Sequence, residues 1–96
     1  MNHVVLTACI AEVSPLRYTP AGLPALDLQL EHVSQVQEAS QMREVKANVK
    51  SVAIGAVAER LVQQPLGSQW QFNGFLASPR NGRTLVLHIQ NFQTVS

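Results

Sequence analysis

The chain has little of what defines several large classes of protein. Its single cysteine, Cys9, excludes an internal disulfide and is typical of a protein kept in a reducing cytosol. No apolar run approaches the roughly 20 residues that a membrane-spanning helix needs. The N-terminal residues 1–3 have no basic region of the kind that begins a secretory signal. These absences predict a cytoplasmic protein.

Charge of either sign is also scarce. Charged residues make up 14 % of the chain, and its formal net charge is +1, so the overall balance indicates no particular partner. Hydrophobic residues make up 46 % of the sequence, which is typical of a folded domain. A length of 96 residues leaves room for one core, so we expect a single domain spanning 1–96.

Enzyme motifs are missing as well. The sequence has no glycine-rich phosphate loop, no nucleophile elbow and no carboxylate pair in a catalytic motif. His3, His32 and His88 are far apart in the chain and lack the close spacing of metal ligands. We therefore expect no enzymatic activity, no bound metal and no cofactor.

What the chain does contain is a series of strand patterns. The segment 25–33 places three leucines on one face and polar residues on the other. Helical spacing occurs once, at 54–62, just before a proline. The polar stretch 34–41 has no periodicity and is interpreted as a flexible loop. Strands are predicted at 4–13, 25–33, 43–52, 68–77 and 84–95.

The order of these elements is three strands, a short helix and two further strands. Short amphipathic strands with one helix between the third and the fourth predict an all-β fold, the five-stranded OB-fold barrel. The helix would close one end of the barrel over its apolar interior. An SH3-like barrel is the alternative architecture, although it usually lacks a helix at this point.

Alternation within the last two predicted strands indicates part of the core. Trp70 shares a face with Phe72 and Leu76, so we expect it to pack in the interior and not to stack on a ligand. In the final strand the same alternation turns Leu85 inward and His88 outward.

The basic residues are concentrated in two places. Five of the seven lie within 42–50 or 80–83, and Glu44 is the only acid in those segments. In an OB-fold, the second and third strands and the first and last hairpin loops form the oligonucleotide-binding surface. Because the two basic segments belong to the third strand and the last hairpin, a nucleic-acid surface is one interpretation. Ordinary solvated charges are the alternative.

The last hairpin carries the clearest local signal. Its sequence SPRNGRTL places Asn81-Gly82 between two arginines, and Asn-Gly favours a two-residue turn because both residues tolerate a positive φ. Such a turn would set Arg80 and Arg83 opposite each other at the strand ends. Two guanidinium groups held there suit neighbouring phosphates, to which each can donate charge-assisted hydrogen bonds.

Several segments, taken in order, resemble a known family. They are PLRYTPAGLP, a following strand that ends in LEH, the stretch NGFLAS, an arginine-bearing turn with NG, and LVLHIQNF. Together they resemble the primosomal replication protein N (PriB) family, which is related to bacterial single-stranded DNA-binding proteins. The resemblance covers nearly the whole chain.

The resemblance implies a homodimeric OB-fold that binds single-stranded DNA and acts in replication restart by bridging a primosomal helicase and a helicase-loader protein. It implies DNA contacts from the last hairpin and from the outer face around the third strand, and the first loop (residues 14–24) adds two further candidates. The candidate nucleic-acid-binding residues are Arg17, Tyr18, Arg43, Lys46, Asn48, Lys50, Arg80, Asn81 and Arg83.

One departure from the family concerns base stacking. Relatives carry aromatic residues near the positions of Gln41 and Lys46, whereas this chain has none between Tyr18 and Trp70. Stacking contributes about 1 to 3 kcal/mol per base, and a lysine offers sequence-blind attraction to phosphate instead. We therefore expect weaker and more electrostatic binding than in an OB-fold with a stacking platform there.

The first strand predicts association with a second copy of the chain. The first strand is apolar on both faces, since Val5 and Cys9 alternate with Leu6 and Ile10, and this predicts burial by a second copy in a symmetric dimer. Three functions stay open from the residues alone. They are a single-stranded DNA-binding module, a protein–protein adaptor with weak or vestigial nucleic-acid binding, and an RNA-binding OB domain.

Overall fold

The computed structural model describes residues 1–80 and 82–95, and most of them lie in β-strands. The first strand has the bounds that its apolar pattern predicts, and one short helix separates the fourth strand from the fifth. The elements are β1 (Val4–Val13), β2 (Arg17–Tyr18), β3 (Pro24–Glu38), β4 (Gln41–Ile54), α1 (Ala56–Leu61), β5 (Gln69–Ala77) and β6 (Val86–Gln93).

The strands pair in the order β1-β5-β6-β4-β3-β2, and a further pairing of β1 with β3 closes the ring of the five long strands. All neighbours are antiparallel except β4 and β6, which run parallel over Ser51–Ala53. This is the all-β OB class that the element order predicts, so that prediction is confirmed. The short β2 is an addition within the first loop.

The core fills the ring and is closed at one end by α1. Its fully buried side chains include Phe72, Ile10 and Leu61, the last from the helix. Each such side chain contributes about 1.5 to 3 kcal/mol relative to an exposed one. Trp70 is half-buried and packs against this cluster, with its ring edge-on to Phe92 at 5.0 Å between centroids, so the prediction that it faces the core is confirmed.

The prediction of a flexible loop at 34–41 is wrong. There β3 and β4 stay paired up to Glu38 and Gln41, and they form a projecting hairpin, here called the β3–β4 arm (residues 32–47). Its tip is Ala39-Ser40, with φ of 51° and 66°. Positive φ at both positions makes this a hairpin turn of the type usually built from Asn-Gly. The arm extends beyond the core, so neither face needs to be apolar, and alternation is lost.

The two-residue turn predicted in the last hairpin is also wrong. β5 ends at Ala77 and β6 begins at Val86, and between them Gly82 donates its backbone N–H to the Pro79 carbonyl at 3.0 Å. Pro79 has no N–H to offer a strand ladder, so pairing stops before it. Leu85, expected to face inward, is exposed in this loop.

The longer connection, here called the last loop (residues 78–85), changes the setting of its two arginines. Arg80 and Arg83 are both exposed in the loop and do not face each other across paired strand ends. Asn81, a predicted site residue, lies outside the described residues. Within 1–80 and 82–95, no helix has the length and apolar character needed to cross a membrane.

Candidate nucleic-acid interface

The outer face of β4 carries three of the predicted residues. Lys46, Asn48 and Lys50 alternate along the strand and are all exposed. In the β3–β4 register they lie opposite Val33, Glu31 and Gln29. Alternate residues of a strand point to the same side of the sheet. The structure therefore places these three side chains together, as their spacing predicts.

Arg43 does not share that face. It lies an odd number of residues from Lys46, so its side chain points to the other side of the arm. Its Nη1 donates to Oε1 of Glu38, the acid at the end of β3. Sequence reasoning grouped Arg43 with the basic strand because it is adjacent in sequence, and the alternation of the strand separates it.

Acidic side chains reduce the positive potential of the same β4 face. Glu44 lies 3.4 Å from the Nζ of Lys46, and Glu31 stands directly across from Asn48. Lys50 has no carboxylate ion-pair partner in the portion of the chain that the structure describes. Positive charge on this face is therefore concentrated at its Lys50 end.

Arg17, in β2, is held by a carboxylate. It donates from Nε to Oδ2 of Asp27 at 2.6 Å and from Nη2 to Oδ1 at 3.2 Å, a two-point pairing of a guanidinium and a carboxylate. This hydrogen bonding lowers the pKa of Asp27; burial opposes the shift, and the charges of Arg17 and Lys50 add to it. The same pairing raises the pKa of Arg17. Both side chains remain about half exposed.

A groove joins these strands to the last loop. It has a volume of about 300 Å³, and its walls include Arg17, Lys50, Pro79 and His88. The first loop, β4 and the last loop thus meet at one surface depression, here called the β4–loop groove. Tyr18 lies outside it: its side chain is exposed on β2, which pairs with the start of β3.

Sequence reasoning missed one aromatic pair. On the outer face, the rings of Phe75 and His88 lie parallel, with 4.9 Å between centroids and 11° between planes. The two residues are direct cross-strand partners on β5 and β6. The outward direction of His88 was predicted correctly. The sequence did contain a signal for Phe75. It lies an odd number of residues from Phe72 and from Leu76, which face the core, so strand alternation places it on the outer face.

In the described ranges, no three or more His, Cys, Asp or Glu side chains come together as possible ligands. The arrangement offers instead cations around a shallow groove and a stacked aromatic pair at its side. These groups suit phosphates and planar bases.

Comparison with known proteins agrees with this chemistry. A family model described as "another single-strand binding protein family" matches residues 2–91. The replication restart protein PriB of Bordetella pertussis is 42 % identical over 97 residues, which cover 100 % of this chain and 91 % of that protein. These matches span nearly the full length, so they concern the entire fold and not one motif.

Solved structures lead to the same family. The PriB protein of Ralstonia solanacearum has a TM-score of 0.88 at 32 % identity, with 98 % of this chain and 97 % of that chain covered. The SSB domain of a Synechococcus protein has a TM-score of 0.73 at 22 % identity, covering 96 % and 93 %, which shows a shared fold alone. With the sequence matches, these likenesses show that the chain belongs to the PriB family of single-strand binding proteins.

Proposed function

We propose that this protein binds single-stranded DNA through the β4–loop groove and acts as a cytoplasmic accessory protein in replication restart. The observation that carries the proposal is the meeting of Lys50, Arg17 and the last loop at one depression. In an OB-fold this is the surface formed by the second and third strands and two hairpin loops. Membership of a single-strand binding family supports the same use, and it confirms that the chain is a binding protein and not an enzyme.

The candidate residues contribute to DNA binding in different ways. Arg80, Arg83 and Lys50 engage phosphates, because each is exposed and has no ion-pair partner among the residues described. Lys46 adds a weaker contact, since Glu44 already offsets part of its charge. Asn48 lies between the two lysines on the same face and adds neutral hydrogen bonds. Contacts of this kind fix the strand without reading its sequence.

A salt titration tests the proposal. The affinity for a labelled oligothymidine, followed by fluorescence anisotropy, should fall as salt rises, with a log–log slope of about −0.7 for each phosphate neutralised. The ribose counterpart of equal length should bind more weakly. No binding to the deoxy strand even at low salt would contradict the proposal. A preference for the ribo strand would favour the RNA-binding alternative.

Assembly forms a second part of the proposal: two copies associate through β1 as a symmetric dimer. Among the described residues, Val4 to Ala8 of β1 pair in the sheet with β5 alone, since the pairing of β1 with β3 begins at Cys9. On the other edge of that half-strand the Thr7 carbonyl accepts a hydrogen bond from Nδ1 of His32 at 2.7 Å, and the rest of the edge has no strand partner in the described residues and is open to a second copy. Val5 is 53 % exposed beside it, which supports burial by a second copy. Sedimentation that finds only monomer at micromolar concentration would contradict the dimer.

A role as an adaptor between a helicase and a helicase-loader protein is the second candidate function. The β3–β4 arm favours it, because Val33, Val36 and Met42 are exposed apolar side chains on a projecting element. Exposed apolar residues of this kind are typical of protein-binding surfaces. If adaptor function alone is correct, substitution of Val36 and Met42 by serine abolishes helicase capture, and oligothymidine binding is weak at every salt concentration.

A further inference from the structure

We propose that the imidazole of His88 is a base-stacking platform, and that a nucleobase of the bound strand lies against its ring above Val52 in the β4–loop groove. This inference rests on the proposed function and adds a subsite to it. It places aromatic stacking on β6, whereas the basic strand β4 has no Phe, Tyr or Trp residue.

The sheet register aligns the groups of this subsite. Phe75 pairs with His88, His88 with Val52, and Val52 with Asp27, so the four residues form one row across β5, β6, β4 and β3. Phe75 covers one face of the imidazole at 4.9 Å between ring centroids. Because β6 lies between β5 and β4, the other face is turned toward Val52 and the groove.

The dimensions and floor of the groove suit a planar ring. Its volume of about 300 Å³ is at the small end of the range for ligand sites. Val52 and Val86 form an apolar floor and are each 8 % exposed, although both lie outside the main core cluster. A ring placed there is held between an aromatic wall and an apolar base.

The surrounding charge favours a nucleic acid over a peptide as the occupant. Lys50 lines the groove beside His88 together with the paired Arg17 and Asp27, and the last loop enters it at Pro79, one residue before Arg80. A stacked base would thus have near its own phosphates Lys50 and the arginines of the last loop, which have no ion-pair partner among the described residues. Stacking of this kind tolerates any base, because every base has a π face.

The test compares two probes that share a phosphate backbone. His88→Ala should weaken binding to a labelled oligothymidine by roughly 5- to 150-fold, the loss of one stacked base, and should leave the salt slope unchanged. It should not affect binding to an abasic oligomer of equal length. His88→Phe, which keeps a ring, should retain the wild-type affinity. Gln90→Ala, which changes an exposed neighbour of His88 on β6, is the control for altered surface.

Each remaining outcome decides the matter. Equal oligothymidine affinity of wild type and His88→Ala would overturn the platform while leaving the proposed function intact. Equal losses on both probes would also overturn it, since they would indicate a backbone effect. Photocross-linking of an iodouracil-substituted strand to the unaltered protein should modify His88 or Phe75. Cross-links confined to Tyr18 or Trp70 would place the base elsewhere.

Discussion

The arginines of this protein differ in what already neutralises them. Arg17 and Arg43 are held by Asp27 and Glu38, whereas Arg80 and Arg83 have no ion-pair partner in the residues that the structure covers. A phosphate that binds to either of the first two must compete with a carboxylate, and one that binds to the last two need not. We therefore expect the last loop to supply most of the electrostatic affinity.

The Arg17–Asp27 pair has a defined pH dependence. The pKa of Asp27 is lowered in the folded state, below the ordinary value of 3.8 for this carboxyl. Its contribution is therefore present above about pH 4 and is lost as pH falls through the folded pKa. Asp27→Asn should lower the free energy of unfolding at neutral pH by less than about 1 kcal/mol, because both side chains are about half exposed.

Urea unfolding at several pH values measures this difference. The gap between wild type and Asp27→Asn should close as pH falls through the lowered pKa of Asp27 in the folded chain, below which the carboxyl is protonated in both folded and unfolded chains. Glu59→Gln, which removes an exposed acid on α1, serves as the control. A gap that widens toward low pH would refute the assignment.

At the level of elements, the β3–β4 arm depends on a turn made from unsuitable residues. Ala39 and Ser40 both adopt a positive φ, which costs an L-residue roughly 1 to 2 kcal/mol. Ser40→Gly should relieve part of this cost, raise the melting temperature and slow amide hydrogen exchange in the arm. Gln35→Gly, in an exposed strand position of the same arm, should do the opposite. Faster exchange in Ser40→Gly would contradict the turn geometry.

The backbones of β5 and β6 approach each other very closely at Gly74. A Cβ at this position would lie 1.9 Å from the backbone oxygen of His88, so β5 and β6 approach each other there only because the residue is glycine. Gly74→Ala should lower the free energy of unfolding by about 3 kcal/mol, the upper part of the range for overpacked sites. Asn73→Ala is the control in denaturant unfolding, and equal stability of the two variants would contradict this account.

Whole-molecule architecture was largely accessible from the sequence, and the details of its projections were not. Buried strands must alternate, so their pattern predicted the OB class and the position of Trp70. The β3–β4 arm and the last loop lie outside the core, where no burial constrains the pattern. The turn at Ala39-Ser40 has none of the glycine, asparagine or aspartate residues that usually mark a turn with positive φ, and the Asn-Gly signal at 81–82 lies within a longer loop. The groove depends on contacts between distant segments, which no local pattern specifies.

The position of Trp70 across the molecule gives a simple spectroscopic prediction. Its indole packs on Phe92 in the core and donates from Nε1 to Oγ of Ser68 at 2.9 Å, away from the β4–loop groove. Saturating oligothymidine should therefore leave its fluorescence emission nearly unchanged, because no base reaches the ring. Strong quenching at saturation would mean that the DNA path differs from the one proposed. Urea should shift the emission to the red and shows that the probe responds to solvent.

We expect the groove and its last loop to hold single-stranded DNA by phosphate contacts. The most direct test is the salt dependence of oligothymidine affinity in the Arg80→Ala/Arg83→Ala double variant, with Arg60→Ala on α1 as the remote control. We expect a several-fold or greater loss of affinity and a slope shallower by about 1.4 if both arginines contact phosphate, with folding unchanged because both residues are exposed. Wild-type affinity with an unchanged slope in the double variant would contradict it.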